Sequence, residues 1–71
     1  MTIVPGQLWR PTNPARAGRI IRVMRTDETH AHVLTLTRED GTPVPSYLQR
    51  VTRIKLEHFA PKYGYRRERN R

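Results

Sequence analysis

Residues 50–56 read Arg-Val-Thr-Arg-Ile-Lys-Leu, and the stretch runs on through Glu57-His58-Phe59 to Pro61. Apolar and cationic side chains nearly alternate along it. On a strand, successive side chains point to opposite faces, so one face becomes apolar and the other a row of positive charge. On a helix, with 3.6 residues per turn, the same charges scatter around the axis. The extended reading turns Thr52, Ile54 and Leu56 inward and Arg53 and Lys55 outward, and it makes 50–56 the half-buried strand that seals a small sheet.

The segments before it support the extended reading. Gln7-Leu8-Trp9-Arg10 is a short strand between the Pro5-Gly6 turn and Pro11. Residues 11–18 form a loop closed by Gly18, after which Arg19 to Arg25 and Ala31 to Arg38 are rich in β-branched residues. Asp27-Glu28 and Asp40-Gly41 sit at the turns between runs, and an Asp-Gly pair favours a hairpin connection. Glu57-His58-Phe59 makes one tight helical turn, and Tyr63-Gly64-Tyr65 a last strand. Five short strands in about 65 residues predict an all-β fold, a small SH3-like, partly open barrel. Its core draws on Leu8 or Trp9, Ile21, Val23, Val33 or Leu34, Leu36, Ile54, Leu56 and Phe59. Residues 1–65 make the single domain, and 66–71 a flexible basic tail.

A helical alternative uses other signals. Ala17, Ile20, Ile21 and Met24 fall at i, i+3, i+4 and i+7, with Asn13 as N-cap before Pro14. Ser46 and Gln49 have the form of a capping box. Two such helices would make a helix-turn-helix domain. Gly18 interrupts the first of them, and Ile20-Ile21-Val23 and Val33 to Thr37 favour strands, so the barrel prevails.

Composition narrows the function. A chain of 71 residues is one domain that buries only about 60% of its unfolded surface. It has no cysteine, so neither a disulfide nor a thiolate nucleophile is available, and no apolar run approaches the roughly 18 residues that span a bilayer. With no leader-like N-terminus either, the expected place is the cytoplasm. The net charge is +8, and Arg supplies twelve of the fourteen basic residues. GC-rich codons account for Arg over Lys, though not for the excess of base over acid. Residues 1–26 hold five Arg and no acid; the acids Asp27, Glu28, Glu39 and Asp40 cluster at the turns; residues 50–71 hold eight bases against Glu57 and Glu68. Positive charge therefore belongs to the strands and the tail.

Gly6-Gln7-Leu8-Trp9, Gly18-Arg19 opening a strand, and Arg50-Val51-Thr52-Arg53-Ile54-Lys55-Leu56 followed by Phe59 occur together in one order. This order resembles that of small SH3-like β-barrel proteins of actinobacteria and their phages, with a G-Q-x-W start and an R-x-T-R-I-x-L-x-x-F close. The resemblance covers most of residues 6–65. It implies a high-GC host or its phage, with host cytoplasm as the setting, and it brings no known activity and no catalytic residues.

The residues offer little for catalysis. No G-x-S-x-G, no phosphate-cradling glycine loop and no Ser/His/Asp order is present. His30, His32 and His58 lack the acids that would complete a metal site, and the first two read as surface histidines at a strand entrance. No cofactor, metal or enzymatic activity is expected. Trp9 and Phe59 belong to the core, while Tyr47, Tyr63 and Tyr65 are candidate exposed platforms for stacking bases. The expected function is a small basic binding module that contacts nucleic-acid phosphates with little sequence specificity, using Arg22, Arg53, Lys55, Tyr63, Tyr65, Arg66, Arg67, Arg69 and Arg71. An acidic host protein is the alternative partner, docked by a phage effector. A membrane is not expected, and a second copy is a further candidate because a small domain gains core by association.

Overall fold

Ile21-Arg22-Val23 alternates apolar with polar, and the computed structural model, which describes residues 3–60, 62 and 64–68, turns that alternation into a central strand. Five strands form: β1 (Leu8–Pro11), β2 (Ile21–Thr26), β3 (His30–Thr35), β4 (Val51–Lys55) and β5 (Tyr65–Glu68). They make one antiparallel sheet in the order β4-β3-β2-β1-β5. The fold is all-β, a small, partly open barrel whose only helical pieces among the described residues are single 3-10 turns.

Those turns sit where the helical signals lie. Asn13 caps Pro14–Arg16 by accepting from the Ala15 amide at 3.0 Å, and Ser46–Leu48 and Leu56–His58 are the other two. The first two end after one turn because the β-branched residues Ile20-Ile21 and Val51-Thr52 that follow carry the chain into the sheet. Glu39-Asp40-Gly41 makes the expected tight reversal. Gly41 adopts φ +88, its amide donates to the Arg38 carbonyl, and Asp40 accepts from the Thr42 amide.

Gly18 serves packing more than loop closure. A Cβ placed there would lie 2.5 Å from the Glu39 carbonyl oxygen and from the Gly41 nitrogen. The 39–41 turn thus rests directly on this backbone. Thr37 pins the same junction: its hydroxyl donates to the Gly18 carbonyl at 2.5 Å and accepts from the Ile20 amide at 2.8 Å.

The core is Trp9, Ile21, Val23, Ala31, Val33 and Phe59, with Ile3, Ile54, Leu56 and Tyr65 packed at its margin. The 3-10 turn Leu56–His58 drops Phe59 beneath the sheet, where its ring meets Trp9 edge-on at 5.1 Å and stacks on Tyr65 at 5.6 Å. The expected choices at β1 and β3 resolve to Trp9 and Val33; Leu8, Leu34 and Leu36 are half-buried, and Ala31 joins the core.

Two expectations about the last strands are corrected. The 50–56 segment is extended as far as Lys55, yet it seals nothing: among the described residues β4 pairs with β3 alone. At a sheet edge its inner side lacks cover, so Thr52 is exposed and Ile54 only half-buried, and Leu56 has already entered the 3-10 turn. The last strand spans Tyr65–Glu68, not 63–65, and pairs with β1 from Pro11↔Tyr65 to Leu8↔Glu68. Arg66, Arg67 and Glu68 therefore belong to the sheet and not to a tail; Tyr63, Arg69 and Arg71 lie outside the described residues.

Candidate functional site

Strand pairing fixes which side chains share the outer face of the sheet. One row of directly paired residues crosses all five strands: Val51, Leu34, Arg22, Leu8 and Glu68. These positions point away from the core because their neighbours Thr52, Val33, Val23, Ile21 and Trp9 take the opposite parity. A second row runs Arg25, His32, Arg53, and beside it His30 pairs with Lys55. At the far side Arg10 pairs with Arg66.

Arg25 reaches this face through a bulge. The β2–β3 register shifts between Val23 and Arg25, so Met24 and Arg25 together oppose His32. Without that extra residue, strict alternation from Arg22 would turn Arg25 inward. Strand spacing then separates Arg25 from Arg53 by about 10 Å across His32, and Arg53 from Lys55 by about 7 Å along β4.

Arg22, Arg25, Arg53, Lys55 and Arg66 are all exposed. Among the described residues no carboxylate lies within ion-pairing distance of any of them, and Asp27, Glu39, Asp40, Glu57 and Glu68 have other partners. Glu68 pairs with Arg10 at 2.5 Å, Glu39 with Arg16 at 3.2 Å, and Glu57 lies 4.0 Å from His58. Asp40 is held by the Thr42 amide and hydroxyl, which lower its pKa. Asp27 accepts from His32 Nε2 at 2.9 Å and from the Thr29 and His30 amides at 2.8 and 2.7 Å, which hold its carboxyl well below the usual carboxylate range. Glu68 lies two residues along β5 from Arg66, and at the Lys55 end Glu28 and Glu57 line, with Thr29, His30, Lys55 and Leu56, an open depression of about 450 Å³.

The expected site is thus partly assembled. Arg22, Arg53 and Lys55 share a face as predicted, and Arg66 joins it across β1. Arg67 does not, since its pairing with Trp9 turns it to the other side. Tyr65 is half-buried and spends one ring face on Phe59, so it closes the end of the core where a free stacking platform was expected. Among the described residues Tyr47 is the exposed aromatic, in the 3-10 turn before β4. His32 is buried at the Asp27 contact and is not a surface histidine. No group of three metal-ligating side chains occurs among the described residues. No helix among them is long and apolar enough to cross a membrane. Arg25 escaped the sequence reading because a bulge leaves no mark in an alternation pattern.

No family model, curated protein or solved structure matches the chain.

Proposed function

We propose that this chain is a small non-enzymatic module that contacts nucleic-acid phosphates through the outer face of its sheet, with little readout of sequence. The observation that carries it is the set of five exposed cations on one face, Arg22, Arg25, Arg53, Lys55 and Arg66, while Asp27, Glu39, Asp40, Glu57 and Glu68 are engaged by turns, histidines and other arginines. Leu8, Leu34 and Val51 lie between the cations, and the one acid in their row, Glu68, is neutralised by Arg10. Guanidinium forks suit phosphate oxygens, and phosphate contacts position a protein without reading bases. The resemblance noted above would set the module in an actinobacterial host or its phage, in a cytoplasm where nucleic acid is accessible.

Anisotropy titration of a labelled 20-mer, single-stranded and duplex, at about 50 and 200 mM salt tests it. Release of counterions from about five phosphates predicts an affinity loss of two to three decades between those salts. Binding weaker than micromolar at the lower salt, or indifferent to salt, defeats the proposal.

A further inference from the structure

The free edge of β4 has a defined chemistry. The Leu56 amide donates to the Thr29 carbonyl, and the β3–β4 register continues as Ile54↔Ala31 and Thr52↔Val33. In an antiparallel ladder, hydrogen-bonded pairs alternate with non-bonded ones. The backbone groups of Thr52, Ile54 and Leu56 therefore point into the sheet, and those of Val51, Arg53 and Lys55 point out of its edge. The residues that offer free amides and carbonyls are the same ones whose side chains occupy the outer face.

Beside this edge the surface is apolar. Among the described residues five large hydrophobics are exposed, and three of them, Tyr47, Leu48 and Val51, fall within the five residues leading into the strand. Clustered apolar exposure marks a contact surface, and an aromatic next to arginine is the usual make-up of a protein-binding hot spot. No acid occurs between Gly41 and Leu56, while Arg50, Arg53 and Lys55 do.

We infer that β4 accepts an extended, acidic segment of another protein as a sixth, antiparallel strand. Charge selects this occupant. A second copy paired about Arg53 would set Arg53 against Arg53, and like charges directly opposite destabilise a strand pair. Basic edge residues hinder self-pairing in this way, and the same residues favour a partner strand with carboxylates opposite them. Lys55 shares its end with Glu28 and Glu57, so charge recognition rests chiefly on Arg53. Parity sets the partner's pattern: acidic opposite Lys55 and Arg53, apolar opposite Val51, and apolar or small opposite Ile54 and Thr52, where the core margin is uncovered. This inference does not depend on the phosphate reading, although Arg53 would serve both.

The probe is a capped peptide centred on Glu-Val-Glu-Thr-Val, whose five residues face Lys55 through Val51 in that order. Titration followed by amide chemical shifts is expected to move Val51, Arg53 and Lys55 most. Two changes to the peptide leave the protein intact: Lys for both Glu, and N-methylation of the Glu that faces Arg53. Each is expected to weaken binding about tenfold or more, by charge reversal and by loss of a ladder hydrogen bond. In the protein, Arg53→Pro removes an outward amide and leaves the β3 ladder in place, so it weakens binding beyond Arg53→Ala. No binding at about 1 mM peptide, equal binding of the Glu and Lys peptides, insensitivity to N-methylation, or shifts centred elsewhere each overturn the inference. So does a concentration-dependent dimer with newly protected β4 amides, which would make a second copy the occupant. Loss of nucleic-acid binding alone would leave it standing.

Discussion

The indole Nε1 of Trp9 donates to Oε1 of Gln7 at 3.3 Å, and both side chains are buried. The same oxygen accepts from the Val4 amide at 3.2 Å, so one side-chain carbonyl joins the largest core residue to the turn before β1. This gives the Gly-Gln-x-Trp spacing a physical meaning: two residues apart on a strand, both side chains face the core, and the indole needs an acceptor there.

Replacing Gln7 by Leu keeps the bulk and removes the acceptor. A buried donor left unpaired costs roughly 1–3 kcal/mol. Urea denaturation followed by Trp9 fluorescence is expected to give a lower midpoint with an unchanged slope, and a wild-type midpoint would show that the contact carries no net stability.

Gly18→Ala is expected to destabilise by roughly 1–3 kcal/mol, as overpacking does, because the new methyl group meets backbone atoms of Glu39 and Gly41 at 2.5 Å and neither is a flexible side-chain end. Ala at position 18 would restrict the unfolded chain's freedom and so stabilise if space allowed, which makes the sign of the change informative. Thermal denaturation reads it directly.

Acid is expected to weaken the fold through Asp27 and Asp40. Both carboxyls have folded pKa values below the ordinary 3.8, Asp27 chiefly through His32 and Asp40 chiefly through the Thr42 amide. A carboxyl with a depressed pKa binds its proton less readily in the folded chain, so its contribution is present above about 4 and is lost as pH falls below it. Asp27→Asn should therefore be less stable than wild type near pH 7, with the gap narrowing towards pH 2. A gap independent of pH would remove the His32 contact as its cause.

For the cationic face, Arg22→Ala and Arg25→Ala are each expected to reduce the slope of log affinity against log salt by about 0.9. Arg16→Ala is expected to leave it unchanged, because Arg16 is already paired with Glu39 away from the sheet face. An equal effect of all three would mean that net charge, and not this face, governs binding.

Much of this was legible in the sequence wherever one residue's chemistry determined one local outcome. The alternation in 50–56 gave an extended segment with Arg53 and Lys55 outward, and Asp40-Gly41 gave the tight reversal. What escaped depended on partners distant in the chain. Thr52 alternates correctly and is exposed because, among the described residues, no strand covers β4 on its outer edge. Tyr-Arg-Arg-Glu carries no strand-like alternation, yet it is a strand because Glu68 finds Arg10 and Tyr65 finds Phe59. His32 looks like a surface residue until Asp27, five positions earlier, folds back on it. A local pattern cannot announce a counter-charge on a neighbouring strand.

Strand β1 lies between β2 and β5, so Leu8 pairs both with Arg22 and with Glu68. The first contact is available early in synthesis and the second only when the closing residues have left the ribosome. Pairing across such a span is slow to form, and until it does β1 offers an open flank to any chaperone, protease or neighbouring nascent chain. Docking of β5 is thus the latch that shuts this flank of β1.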